Sequence, residues 1–233
     1  SGDKQGSSSS FWSKLGGDDE MFNIGTTVSL VGGQMVLVGI AVMVAFLLKT
    51  PNFGLGPDIR FSFQAISHGA LMTLPLGILA WALDQIESKV PALQDVTTAT
   101  QRSVLALLGS TFKPGLGLFV AVALGVAAGL GEEMLFRGVF QYELVQRLGN
   151  MVAVGVSSIV FGLLHAVTPM YAFLATLASF YFGYLYLDTG NLAIPIVTHA
   201  LYDVCALLYA HWTVANLSPQ EQTALAEWKG PGE

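Results

Sequence analysis

Leu118-Phe119-Val120-Ala121-Val122-Ala123-Leu124-Gly125-Val126-Ala127-Ala128-Gly129-Leu130-Gly131-Glu132-Glu133-Met134-Leu135-Phe136-Arg137 is the stretch on which the fold turns. An uncharged apolar run ends in two adjacent glutamates and an arginine, and apolar residues resume at Val139-Phe140. A charged side chain at the centre of a bilayer costs roughly 2.5–3.5 kcal/mol on insertion scales, so such groups are rare and usually functional. If the run crosses a membrane, these three residues belong to a protein interior. The competing reading makes them ordinary flanking charges at the headgroups; the apolar residues beyond them argue against it.

Composition favours the membrane. Of 233 residues, 53% are hydrophobic and 11% are charged, against about 25% charged in a soluble domain. Mean hydropathy is +0.60. The net charge of −6 collects in tails and loops such as Asp18-Asp19-Glu20. No basic cluster is present for nucleic acid or for an anionic lipid surface. A single cysteine, Cys205, excludes an internal disulfide. The chain opens on Ser1, as a processed or truncated form would.

A helix needs about 20 apolar residues to cross about 30 Å of hydrocarbon. Residues 27–48 satisfy this and stop at Lys49-Thr50-Pro51. Residues 61–83, with His68 and Pro75, form a second span. Residues 91–101 read as a loop, and 103–112 as a short apolar piece that dips or lies in the interface. Residues 115–137 are the third span, continued by an amphipathic turn in which Glu143 and Arg147 pair at i, i+4. Residues 151–165, 170–187 and 192–211 complete the set, with turns at Thr168-Pro169 and Asp188-Thr189-Gly190-Asn191.

The predicted fold is therefore all-α: a polytopic transmembrane bundle of about six spans with short interfacial helices. Residues 1–26 form an N-terminal tail with an anchor at Phe11-Trp12, residues 27–211 the bundle, and residues 212–233 a short C-terminal tail. Six crossings put the loops holding Lys49, Arg60 and Arg147 on one side. Lys89, Arg102 and Lys113 fall on the other, with both termini. With Lys4, Lys14 and Lys229 in the termini, the basic excess falls on that side and orients it to the cytoplasm or stroma.

Polar residues inside the apolar segments fall into three sets. On a helix Glu132 and Glu133 point about 100° apart, whereas Glu133 and Arg137 are i, i+4 neighbours and can pair. That leaves Glu132 free to face another helix. His165 ends the fourth span, one turn after Phe161. His199 and Asp203 share one face of the sixth. Each set alone has a bland reading as a cap, an interfacial charge or a buried tie. Together, on three helices, they contain the parts for hydrolysis: a carboxylate base, a histidine to hold water, and groups to meet an oxyanion. His68 is read as a tie to a neighbouring helix rather than a pigment ligand, and Gly125 and Gly129 as a close-packing face.

Glu132-Glu133-x-x-x-Arg137, Phe161-x-x-x-His165 and His199-x-x-x-Asp203 resemble, in order and spacing, the three motifs of the CPBP family, named for CAAX-processing proteases and bacteriocin-processing proteins and also called the ABI family. The resemblance covers about 115–209. It implies an intramembrane endopeptidase in which Glu132 and His165 activate water, and His199 and Asp203 polarise the scissile carbonyl. Glu133, Arg137 and Phe161 would brace the site. The prenyl-processing branch favours Asn where this chain has Asp203, and an ionised Asp cannot donate a hydrogen bond. A zinc-dependent version would use Glu132, His165 and His199 as ligands; the metal-free version needs no cofactor. Expected partners are membrane lipids and a peptide or membrane-protein substrate. Relatives also act as membrane scaffolds or regulators, which implies as the alternative a stable complex with another membrane protein. The resemblance implies a bacterial plasma membrane or a plastid membrane, thylakoid or envelope. A transporter is disfavoured, since no inverted repeat of broken helices is visible.

Overall fold

The computed structural model describes residues 24–230; the expected anchor at Phe11-Trp12 lies outside them. The described residues form helices and connecting turns, with no strand among them. In chain order the helices are α1 (Ile24–Leu48), α2 (Phe63–Leu71), α3 (Thr73–Ile86), α4 (Pro91–Leu108) and α5 (Pro114–Glu133). A π-helical segment (Met134–Gln141) leads to α6 (Tyr142–Leu148), then α7 (Asn150–Leu164), α8 (Pro169–Thr189), α9 (Ala193–Ala215) and α10 (Pro219–Glu227).

Five helical stretches have the length and hydropathy of a membrane span: α1, α2 with α3, α5 through α6, α8 and α9. The sixth, α7, is a shorter apolar helix of 15 residues, about 22 Å long at 1.5 Å per residue. The protein is an integral multi-pass membrane protein. Large apolar side chains such as Phe46, Phe63, Trp81 and Phe119 are exposed around the bundle, as a lipid-facing surface requires.

Two ends of the bundle can be told apart by their contacts. At one, Thr50 donates to Glu143 (2.8 Å) and Arg60 and Asn191 exchange hydrogen bonds at 3.0 Å. At the other, the Lys113 amide donates to His211 (3.1 Å) and Gln222 donates to the Ser110 carbonyl (3.3 Å). Lys49, Arg60 and Arg147 gather at the first end, as the crossing count requires.

The second span breaks at Met72. Pro75 has no N–H to offer the Leu71 carbonyl and its ring crowds that position. The Met72 carbonyl, at the break, accepts the Tyr181 hydroxyl at 2.9 Å. His68 makes no side-chain hydrogen bond among the described residues, so the tie expected of it is carried instead by Thr198, whose hydroxyl donates to the Gly69 carbonyl (2.9 Å).

The larger correction is at 91–101. This stretch is the first half of α4, with Pro91 at its first turn. A loop is expected here, yet Thr100 returns its hydroxyl to the Val96 carbonyl and Ser103 to that of Ala99. Such i−4 bonds satisfy the hydroxyls inside the helix. Leu93, Val104 and Leu108 form a buried face; Val104, Leu107 and Leu108 join Val120, Ala210, Val214 and Leu225 in one apolar cluster.

Small residues let α5 lie closely along α9. A Cβ on Gly125 would stand 2.7 Å from the Ala200 carbonyl oxygen, and one on Gly129 2.8 Å from that of Ile196. Gly138 has the least room: a Cβ there would overlap the Gly54 carbonyl oxygen. That oxygen sits in a turn where Asn52 and Phe53 already hold left-handed backbone angles (φ 50 and 55). Gly138→Ala must therefore shift backbone, at a cost of about 1–3 kcal/mol or more. A lower midpoint in thermal unfolding of the purified variant is the expected result.

Candidate active site

The three motifs converge. Glu133 and Arg137 are wholly buried and paired at 3.0 Å; Glu132 is 6% exposed. None of the three is an exposed flanking charge. Glu133 directs the same Oε1 to His199 Nδ1 at 2.8 Å. His199 Nε2 stands 3.4 Å from Asp203 Oδ2 and 3.9 Å from Glu132 Oε2. His165 Nε2 is 3.6 Å from the same Glu132 oxygen.

The π-helical segment sets this geometry. Its widened, i→i+5 bonded turn follows directly on Glu133, and π segments recur at functional sites. Arg137 Nη2 donates to the Ser179 carbonyl (2.8 Å) and hydroxyl (2.7 Å). One step further, Gln141 donates to the Gly183 carbonyl at 3.0 Å. Both contacts join residues 42 apart in sequence, so the π segment and α8 run side by side in the same direction. Ser157 on α7 donates to the Phe136 carbonyl (3.3 Å), holding the segment from a second side.

Rings clamp the charged groups. Phe161 stacks on His165 with centroids 4.2 Å apart, and Phe182 stacks on His199 at 4.7 Å. The Arg137 guanidinium lies 5.0 Å from the Phe161 ring centre and 5.5 Å from that of Phe182. An arginine over two aromatic faces gains cation–π attraction that a lysine would not reproduce with the same planar fork.

Hydrogen bonding assigns the histidine tautomers. His165 Nδ1 faces the Phe161 carbonyl at 2.8 Å; a carbonyl only accepts, so Nδ1 carries the proton. In the neutral ring Nε2 then offers its lone pair towards Glu132. His199 Nδ1 likewise donates to Glu133, which is already engaged by Arg137.

A cavity of about 360 Å³ reaches the site through Gln34 and Asp203, while Glu132, His165 and His199 do not line it. Its wall includes Asp203, Gln34 and Tyr171 together with apolar residues of α4, α5 and α9, among them Val104, Leu107, Leu124 and Leu207. The segment misread as a loop thus supplies Ala99 and Thr100 to this cavity. Asp203 and Tyr171 are its ionisable lining residues, and the phenol is a donor of the kind an ionised Asp203 lacks.

Sequence reading missed Gln34, Tyr171, Ser179, Phe182 and Gln141. Gln34 had a signal: it is the one amide side chain within α1. Phe182 lies in an aromatic run, 181–186, and packs on His199 and Arg137.

Zinc held by Glu132, His165 and His199 would require their donor atoms to share a point about 2 Å from each. Among the described residues no group of three His, Cys, Asp or Glu side chains has such an arrangement. The Gln34 bond to Oε1 leaves Glu132 Oε2 free, and it lies 3.6 and 3.9 Å from the two Nε2 atoms, against about 3.3 Å between donors of a tetrahedral zinc. No step is routed through the metal.

Residues 114–205 match the family described as Rce1-like, type II CAAX prenyl endopeptidase Rce1-like. No curated protein and no solved structure matches the chain. The matched residues contain all three motifs and exclude α1 to α4.

Proposed function

We propose that this chain, whose residues 114–205 form a CPBP-family domain, is an intramembrane endopeptidase that hydrolyses a peptide bond with water activated by Glu132. One observation carries the reading. Glu132 Oε2 lies 3.6 and 3.9 Å from the Nε2 atoms of His165 and His199. These separations exceed a direct hydrogen bond and gather a carboxylate oxygen and two ring nitrogens around one point, where a reacting water would meet both a base and a donor.

In the proposed reaction Glu132 Oε2 takes one proton from that water while His165 Nε2 accepts its other O–H. The water oxygen bonds to the scissile carbonyl carbon, and the carbonyl π pair moves to oxygen. His199, in its doubly protonated form, donates Nδ1–H to Glu133 and Nε2–H to the oxyanion. Asp203, 3.4 Å from Nε2, offsets the imidazolium charge and yields the Nε2–H to the oxyanion, which removes the need for Asp203 itself to donate. As the C–N bond breaks, Glu132 returns its proton to the leaving amine. The apolar cavity lined by Val104, Leu107, Leu124 and Leu207 takes an apolar group of the substrate next to the scissile bond.

The test is cleavage by purified protein in phosphatidylcholine vesicles of a panel of internally quenched peptides, with and without a prenyl-cysteine. New peptide ends appearing with wild type above the Glu132→Gln background are expected. Equal signals would overturn the reading and favour a scaffold that stabilises a partner membrane protein.

A further inference from the structure

We infer that Gln34, on α1 and outside the family-matched residues, is a positioning residue for Glu132. The proposal rests on the endopeptidase reading of the same site. Gln34 Nε2 donates to Glu132 Oε1 at 2.9 Å. A carboxylate only accepts, so the amide nitrogen, not its oxygen, must face it. With Oε1 held there, Oε2 is the oxygen left towards His165 and His199. One donor thus determines which carboxylate oxygen meets the water and in which direction its lone pairs point.

The other half of the same amide argues that this is its purpose. Gln34 Oε1 is buried with no hydrogen-bond partner in the protein. An unpaired buried acceptor is destabilising. A methionine would fill the same space and remove that acceptor, but would leave Glu132 Oε1 without its donor, so packing alone does not account for a glutamine. What the amide supplies, and methionine does not, is the donor to Glu132. The backbone is committed as well: a Cβ on Gly131 would stand 2.6 Å from the Gln34 carbonyl oxygen. α1 therefore sits against the residue preceding Glu132, too close for any side chain between them.

A positioning role and a structural role move different observables. Gln34→Met removes one unpaired buried acceptor, Gln34 Oε1, and creates another, Glu132 Oε1, so the thermal midpoint is expected to change little and KM to stay unchanged, while kcat falls at least tenfold. Because carbodiimides attack the protonated acid, and the lost donor favoured the ionised one, labelling of Glu132 by dicyclohexylcarbodiimide should quicken several-fold at fixed pH. In a Glu132→Gln background Gln34→Met should lower residual cleavage no further. Unchanged kcat, or a kcat loss matched by a fall in thermal midpoint, overturns the proposal while the endopeptidase reading stands. Absence of turnover by wild type overturns that reading and this role with it; the labelling arm still reports whether Gln34 holds the carboxylate.

Discussion

Glu132→Gln is expected to lower kcat by about 10²–10⁴, the usual contribution of general acid–base catalysis, with no loss of thermal stability. The fold tolerates the change because every partner finds an equivalent. Gln34 can still donate to the carbonyl oxygen of the new amide in place of Oε1. The amide nitrogen then faces His165 Nε2, which has its proton on the other nitrogen, towards Phe161, and can accept. What disappears is the base. Quenched-peptide kinetics paired with a melting curve on the same preparation separates this outcome from misfolding. Activity within threefold of wild type would show that Glu132 is not the proton acceptor.

Arg137→Met is expected to do the reverse, abolishing the fold along with any activity. The guanidinium and Glu133 are both fully buried, and removing one partner of such a pair typically costs 3–5 kcal/mol. The Ser179 carbonyl and hydroxyl lose their donor at the same time. Arg137→Lys keeps the charge but not the fork that serves Glu133 and Ser179 together, so an intermediate loss is expected. The informative variant is the double change Glu133→Gln with Arg137→Met. With neither charge left to neutralise, much of the stability should return, yet His199 loses the carboxylate on Nδ1 and cleavage should stay low. Thermal unfolding of the two single variants and the double, read as a cycle, checks this. Additive losses would show that the pair is not coupled.

The spacing of ionisable residues along apolar runs made most of the chemistry legible. Glu133 and Arg137 had to pair if helical, and Glu132 then had to point elsewhere. Periodicity could not announce the π segment, because Met134–Gln141 is as compatible with an α-helix as with the wider turn. Its signal lies in the Arg137–Ser179 and Gln141–Gly183 contacts, which join residues distant in sequence. The α4 helix was hidden for a local reason: Thr97, Thr98 and Thr100 lower helix propensity, and only packing against α8 to α10 and hydroxyl bonds to the helix's own backbone override it. Gln34 was visible as an isolated amide in an apolar span. Its partner, on α5, could be found only in three dimensions.

The cavity draws its walls from two sources. Asp203, Tyr171, Leu124 and Val167 come from the stretch that carries the motifs, whereas Gln34, Val104 and Leu107 come from helices ahead of it. Reaction chemistry and substrate choice can therefore diverge at different rates. Grafting α1 through α4 from a relative onto this chain's remaining residues should transplant the donor's preference for the flanking group while the bond-breaking machinery stays native.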